Sequence, residues 1–153
     1  MKLATLCYVR SGGKTLMVYR NKKDNDIHLG KWNGLGGKME TGESPEECAR
    51  REVREESGLI ALKLVLKGVL TFPAFSHDED WYAFVFVVEE FEGQLIDSPE
   101  GKLEWVDDHR LLNLNLWEGD RFFLPLLERP GLFSGKFSYK NGHLVDHQLV
   151  YYP

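Results

Sequence analysis

The feature that most restricts what this chain can become is the run Trp81 to Val88, WYAFVFVV, which is apolar or aromatic at every position. Side chains of an extended strand point alternately to opposite faces, so a strand made from this run has no face to give to water. It needs cover on both sides. The segment KLVLKGVLTFPAF, 63 to 75, is also rich in β-branched and aromatic residues and reads as a further strand. A helix is available for each face: one at 45 to 57, and one within DRFFLPLLERPG, 120 to 131, where Pro125 must kink it or sit in its first turn.

The ends of the chain are strand-rich. LATLCYVR (3 to 10) and TLMVYR (15 to 20) flank Gly12 and Gly13 as a hairpin, and Asn141-Gly142 joins two alternating segments as a second one. Between them, NKKDNDIHLGKW reads as a surface loop leading into a short strand at Trp32 and Asn33. The expected fold is an α/β sandwich. With 153 residues, 42% of them hydrophobic, and no repeat or linker, a single domain over 1–153 is expected.

A net charge of −5 opposes a broad footprint for duplex nucleic acid and suits a metal site. Cys7 and Cys48 stand in apolar settings without CxxC spacing, which reads as buried, reduced thiols. No h-region or bilayer-length apolar run is present, so the expectation is a cytoplasmic protein with no membrane partner. The histidines have no convincing metal-ligand spacing.

The chemistry concentrates in GKMETGESPEECARREVREESGL, 37 to 59. Ser44, Pro45 and Glu47 form a capping-box start and Gly58 a left-handed stop, which predicts a helix of about 13 residues. On it Glu52, Glu55 and Glu56 fall at i, i+3, i+4, within one arc that borders the apolar positions Cys48, Ala49 and Val53. Like charges so spaced repel by a few tenths of a kcal/mol per pair, a cost that a hard cation such as Mg²⁺ or Mn²⁺ reverses through carboxylate oxygens. Arg51 is placed to orient or discharge one of these acids. Taken alone, the three glutamates also fit a common surface helix rich in glutamate and arginine.

The spacing goes further. Gly37, Glu43, Arg51, Glu52, Val53, Glu55, Glu56, Gly58 and Leu59 fill every specified position of G-x5-E-x7-R-E-U-x-E-E-x-G-U, with U a bulky aliphatic. The segment thus resembles the signature of the Nudix hydrolases, which cleave nucleoside diphosphates linked to a further group. The resemblance implies an α/β/α sandwich with a mixed, mainly antiparallel-edged sheet and a loop-helix-loop motif. It implies Mg²⁺, with Mn²⁺ as an alternative, held by Glu52, Glu55 and Glu56, joined by Gly37 and Glu100. It implies Glu56 first and Glu100 second as general base, with Glu43 and Arg51 supporting the loop-helix-loop.

Beyond that segment, GKWNGLGGK, SPEGKLEWV, LWEGDRFFLPLL and the C-terminal hairpin are similar to the branch of MutT-like enzymes that hydrolyse oxidised purine nucleoside triphosphates. That similarity implies Asn33 at the base edge, Trp117 stacked on its ring, and Asp120 on its Watson-Crick side. On composition alone Trp117, among leucines, is as readily a core anchor. Lys23 and Lys38 are solvated by default and become phosphate contacts only beside the site. The chain departs from the human member in carrying Gly119 before Asp120 where that enzyme has two adjacent aspartates, which bears on base preference.

The expected activity is Mg²⁺-dependent hydrolysis of an 8-oxo-dGTP-like triphosphate to monophosphate and pyrophosphate. ADP-ribose, a dinucleotide or another modified nucleotide is the alternative substrate, and a non-catalytic nucleotide sensor the third reading. Pro73 reads as a turn rather than a mark of ADP-ribose specificity. The expected partner is a small nucleotide; oligomeric state is left open.

Overall fold

The computed structural model describes residues 1–153. Its elements are β1 (Lys2–Ser11), β2 (Lys14–Tyr19), β3 (Trp32–Asn33), α1 (Pro45–Ser57), β4 (Ile60–Ser76), β5 (Glu79–Glu92), β6 (Lys102–Asp107), α2 (Asp120–Phe123), β7 (Leu132–Lys140) and β8 (His143–Tyr152). Tight 3₁₀ turns lie at Asp108–Asn113 and Leu124–Glu128.

The run Trp81–Val88 falls in β5, the centre of the sheet, with β1 parallel on one side and β4 antiparallel on the other. Its side chains divide as an extended chain requires. Ala83, Val85 and Val87 enter a cluster with Phe123, Leu124, Leu127, Phe133 and Phe137, beneath α2 and the turn after it. Phe86 and Val88 enter another with Ala49 and Val53 of α1 and with Leu35 and Leu59. Both faces are covered, as the sequence demands. Burying one such side chain stabilises by roughly 1.5–3 kcal/mol against about 1 kcal/mol for a cap, so packing places α1 while its caps fix its ends.

Those caps are the predicted ones. Glu47 N–H donates to Ser44 Oγ at 3.1 Å and Ser44 N–H to the Glu47 carboxylate at 2.9 Å. Gly58 closes the helix at φ 82°, where a Cβ would also lie 2.6 Å from the Gln94 carbonyl.

β1 and β2 pair only at Arg10↔Thr15 and Ser11↔Lys14, beside the Gly12–Gly13 turn, and then part. β1 continues along β5 from Lys2↔Trp81 to Val9↔Val88, whereas β2 turns to β6 and β3. The segment after β3 fills the gap: Cys7 exchanges both backbone hydrogen bonds with Leu35, and Thr5 N–H donates to the Gly37 carbonyl at 2.9 Å. This inserted segment carries the glycines that precede the acid helix.

One expectation is refined and another corrected. The helix within 120 to 131 lasts only from Asp120 to Phe123 before tightening into the 3₁₀ turn that has Pro125 in its first turn. The proline has no N–H to give and its ring crowds the carbonyl four residues back, so it disfavours an unbroken α-helix and is tolerated in a first turn. Pro73 lies inside β4 rather than between strands; the register breaks between Phe72 and Ser76, with Ala74 at φ 45°. The second hairpin forms as expected, with Asn141 at φ 53° and Gly142 at φ 78°. Both cysteines are free and buried. No helix is long and apolar enough to cross a membrane.

Candidate active site

The loop before α1 lies directly against the acids. Gly36 adopts φ 131°, with Thr5's carbonyl 2.1 Å from where a Cβ would be, so only glycine fits. Its N–H donates to Glu56 Oε2 at 2.7 Å. One residue on, a Cβ on Gly37 would sit 2.8 Å from the Glu52 carboxylate. The backbone of this loop and two of the three acids therefore form a single wall.

Arg51 ties loop to helix. It grips Glu43 through Nε at 2.7 Å and Nη2 at 2.8 Å, and Nη2 also donates to the Lys38 carbonyl at 3.0 Å. Its Nη1 donates to Glu52 at 2.8 Å and Glu55 at 3.3 Å. Such charge-assisted pairing holds the Glu43 carboxyl down at about 2, with the Arg51 hydrogen bond the main cause and the Glu40 N–H second.

The three helix acids are not equivalent, which refines the expectation of a common face. The Glu55 side chain is 58% exposed and that of Glu52 16%, while Glu56 as a residue is 3% exposed. Burial pushes the Glu56 carboxyl well above the usual range, aided by Glu52 and Glu100 and opposed by the Gly36 N–H. Glu52 is also raised, by burial, against the pull of Arg51. No three acidic, cysteine or histidine side chains stand close enough to enclose an ion as they are arranged. The 100° advance per residue turns Glu55 outward when Glu56 points in, and the Arg51 guanidinium takes the space between Glu52 and Glu55. The donor set still suits a hard divalent cation: every side-chain atom in it is a carboxylate oxygen, and a cation already neutralises two of them.

Glu100 comes to the same place from the loop before β6. It adds to the field at Glu56 and is held by Arg20 at 3.0 Å and Lys23 at 3.0 Å. Arg20 also pairs with Asp26 at 2.8 Å. The Gly37 carbonyl accepts from Thr5 N–H at 2.9 Å and, more weakly, from the Cys48 thiol at 3.6 Å.

On the other side of the 33–37 segment lies a cavity of about 180 Å³. Asn33, Trp117 and Asp120, which the sequence spreads over almost ninety positions, all line it. The Asn33 amide nitrogen is buried without a hydrogen-bond partner, and a buried unpaired donor costs on the order of 1–3 kcal/mol unless a ligand accepts from it. Trp117 stands edge-on to Phe75 and Tyr139, each at 5.2 Å, with Lys31 Nζ 5.0 Å from its ring. Asp120 is 9% exposed, and burial pushes its carboxyl up to about 7 against the pull of Lys31 and Arg121.

Lys23 and Lys38 do not line this cavity. Lys23 is spent on Glu100, and the Lys38 amine lies 5.8 Å from the Trp81 ring. Sequence reasoning missed four of the residues that do. His28 accepts the Trp117 indole N–H at Nδ1, 2.7 Å away, and burial lowers its pKa to about 4, so it is a neutral brace with its proton on Nε2. Arg20 links the cavity to Glu100, and Tyr139 and Trp81 complete the wall. A single histidine in a polar loop and a tyrosine in a hairpin carry no periodic signal that would mark them.

Known proteins resemble this chain in sequence and fold. Residues 1–127 match the family model of the NUDIX domain. An oxidized purine nucleoside triphosphate hydrolase from Danio rerio is 35% identical over 150 residues, 97% of this chain and 94% of its own. The Nudix hydrolase YvcI of Bacillus subtilis is 35% identical over 144 residues, 91% of this chain and 87% of its own. In three dimensions, the crystal structure of a MutT protein from Bacillus halodurans superimposes with a TM-score of 0.86 at 32% identity, covering 97% of both chains. An acid helix on glycine-rich backbone, an α/β/α layering and these matches lead to one conclusion: the chain belongs to the Nudix hydrolase family.

Proposed function

We propose that this Nudix hydrolase converts an oxidised purine nucleoside triphosphate, of the 8-oxo-dGTP kind, to the monophosphate and pyrophosphate with Mg²⁺. The observation that carries this reading is the double use of residues 33–37. Their first residue offers an unpaired amide to the cavity, and Gly36 and Gly37 abut Glu56 and Glu52. A base in the cavity then delivers its phosphates to the acids along one short stretch of backbone. The names of relatives, among them oxidized purine nucleoside triphosphate hydrolases and a putative 8-oxo-dGTP diphosphatase, support the same substrate class.

Glu52, Glu55 and Glu56, with Glu100 and the Gly37 carbonyl, would hold the Mg²⁺, and Mn²⁺ suits the same oxygens. A bound ion supplies neutralisation of the polyphosphate and a more acidic water. The chain's own residues do the rest. Glu56, with Oε2 fixed by the Gly36 N–H, takes the proton of the attacking water at its other oxygen. Glu100, held between Arg20 and Lys23 at 3.0 Å each, is the second candidate for that role. Arg51 and Glu43 hold the loop against the helix. Trp117, braced by His28, packs on the base; Asn33 Nδ2 donates to its edge, and Asp120, titrating near 7, both donates and accepts close to neutral pH.

The test is a panel of 8-oxo-dGTP, dGTP, ADP-ribose and a dinucleoside polyphosphate, followed by phosphate and pyrophosphate release with and without Mg²⁺. Preference for 8-oxo-dGTP with pyrophosphate as product is expected. Equal kcat/KM for dGTP and 8-oxo-dGTP removes the oxidised-base preference, and faster cleavage of ADP-ribose replaces the substrate class.

A further inference from the structure

Tyr139 brings to the cavity a hydroxyl that no step above uses. It lies at the end of the inward row Phe133, Gly135, Phe137 of β7, where the pairing with β8 slips between Ser138 and Tyr139. Such an irregularity re-aims the side chain beside it. The Tyr139 oxygen accepts the Gly119 N–H at 2.7 Å, and the Tyr139 proton has no acceptor in the structure. Burial raises the hydroxyl above its ordinary value, so it remains protonated and able to donate.

Gly119 and Tyr139 depend on each other. A Cβ on Gly119 would meet the Tyr139 hydroxyl at 2.7 Å and the Phe137 ring at 2.7 Å. Any side chain at 119 would therefore displace the hydroxyl from its anchor. Asp120 follows immediately and lines the same cavity, while the Trp117 ring stands at 80° to the Tyr139 ring. A planar ligand packed on Trp117 thus has its edge near both Asp120 and a free O–H.

We propose that Tyr139 is a specificity-determining residue, whose hydroxyl, anchored by the Gly119 N–H, donates to a carbonyl oxygen of the bound purine beside Asp120. This rests on the reading that the cavity receives a purine base. The hydroxyl favours a ring that carries an oxo group at the contacted position over one that presents an amino group, which cannot accept its proton.

Two substrate pairs probe the effect: dITP against dATP, which differ in the 6-substituent and the N1 proton, and 8-oxo-dGTP against dGTP, which differ at position 8 and in the N7 proton. In Tyr139→Phe the ring stays and the hydroxyl goes. One of the two kcat/KM ratios is expected to fall about 3- to 10-fold, the worth of one neutral hydrogen bond, through KM rather than kcat. Both ratios remaining within twofold of wild type, in a variant that melts normally, overturns the proposal. A readout on the unaltered protein guards against a misfolded variant: in ¹³C-tyrosine-labelled protein, the Tyr139 Cζ resonance should move with the preferred oxo-purine and stay with its partner. Equal movement with both members of each pair also overturns it. Failure of the wild type to hydrolyse triphosphates would sink the proposed function alone, because binding ratios measured without Mg²⁺ still decide the role of Tyr139. Absence of base-dependent binding in the wild type overturns both.

Discussion

The acid wall and the cavity beside it meet at Gly36 and Gly37 yet are assembled in opposite ways. The wall comes from one continuous stretch, 36 to 59, with Glu100 added; its contacts are local, such as Arg51 to Glu43 across eight positions. The cavity draws on β1, the loop before β3, β4, β5, α2 and β7, and its brace from Trp117 to His28 spans 89 positions. Local assembly makes the chemistry hard to lose and easy to recognise. Dispersed assembly lets the specificity drift one wall residue at a time, without touching the acids.

If the two regions divide turnover from recognition, the largest effect belongs to Glu56→Gln. Turnover should fall by about 10³-fold or more with nucleotide affinity changed only modestly, as single-turnover kinetics and calorimetric titration would reveal. Near-normal turnover would move the base to another group. Next comes Gly36→Ala, which strikes the shared backbone: the new Cβ meets the Thr5 carbonyl, so kcat and KM should both worsen by more than tenfold. A loss confined to either parameter would mean the regions are less joined than the hydrogen bond from Gly36 to Glu56 suggests.

Trp117→Ala should raise KM by about 5- to 100-fold with kcat little changed, the stacking of one base being worth about 1–3 kcal/mol. A pure kcat loss would make Trp117 a framework residue. The smallest effect is one of pH. Asp120 holds its proton up to about 7 in the folded protein, but only within the ordinary carboxylate range when unfolded. The folded state therefore binds more protons between those limits, and Asp120 costs stability progressively as pH rises through them. The melting temperature of Asp120→Asn relative to wild type should climb between pH 4 and about pH 7, then level off. A constant difference would mean that Asp120 is ionised throughout.

The same contrast accounts for what the sequence made legible. The helix 45–57 was readable to the residue because Ser44, Pro45, Glu47 and Gly58 satisfy its ends locally. The layering followed from Trp81–Val88, since a strand apolar on both faces admits no other burial. Within 120 to 131 the place of Pro125 in a first turn was legible, but the change from one α turn to a 3₁₀ turn around it was not. In the site, the three glutamates were legible by pitch, but their unequal burial depends on which way a sheet-packed helix is rolled. Asn33, Trp117 and Asp120 were reached only through family likeness. His28, Arg20 and Tyr139 carry no local mark of a site, and Trp81, legible as the start of the apolar run, carries no sign that it lines the cavity.

The guanidinium of Arg51, lodged between Glu52 and Glu55 while clasping Glu43, has a consequence for how the protein meets its metal. A crowd of acids furnished with a resident positive charge does not depend on an ion to fold. The divalent ion then acts as a reagent that comes and goes with the substrate rather than as a rivet, and on the proposed function a chelator would silence the protein while leaving its architecture standing.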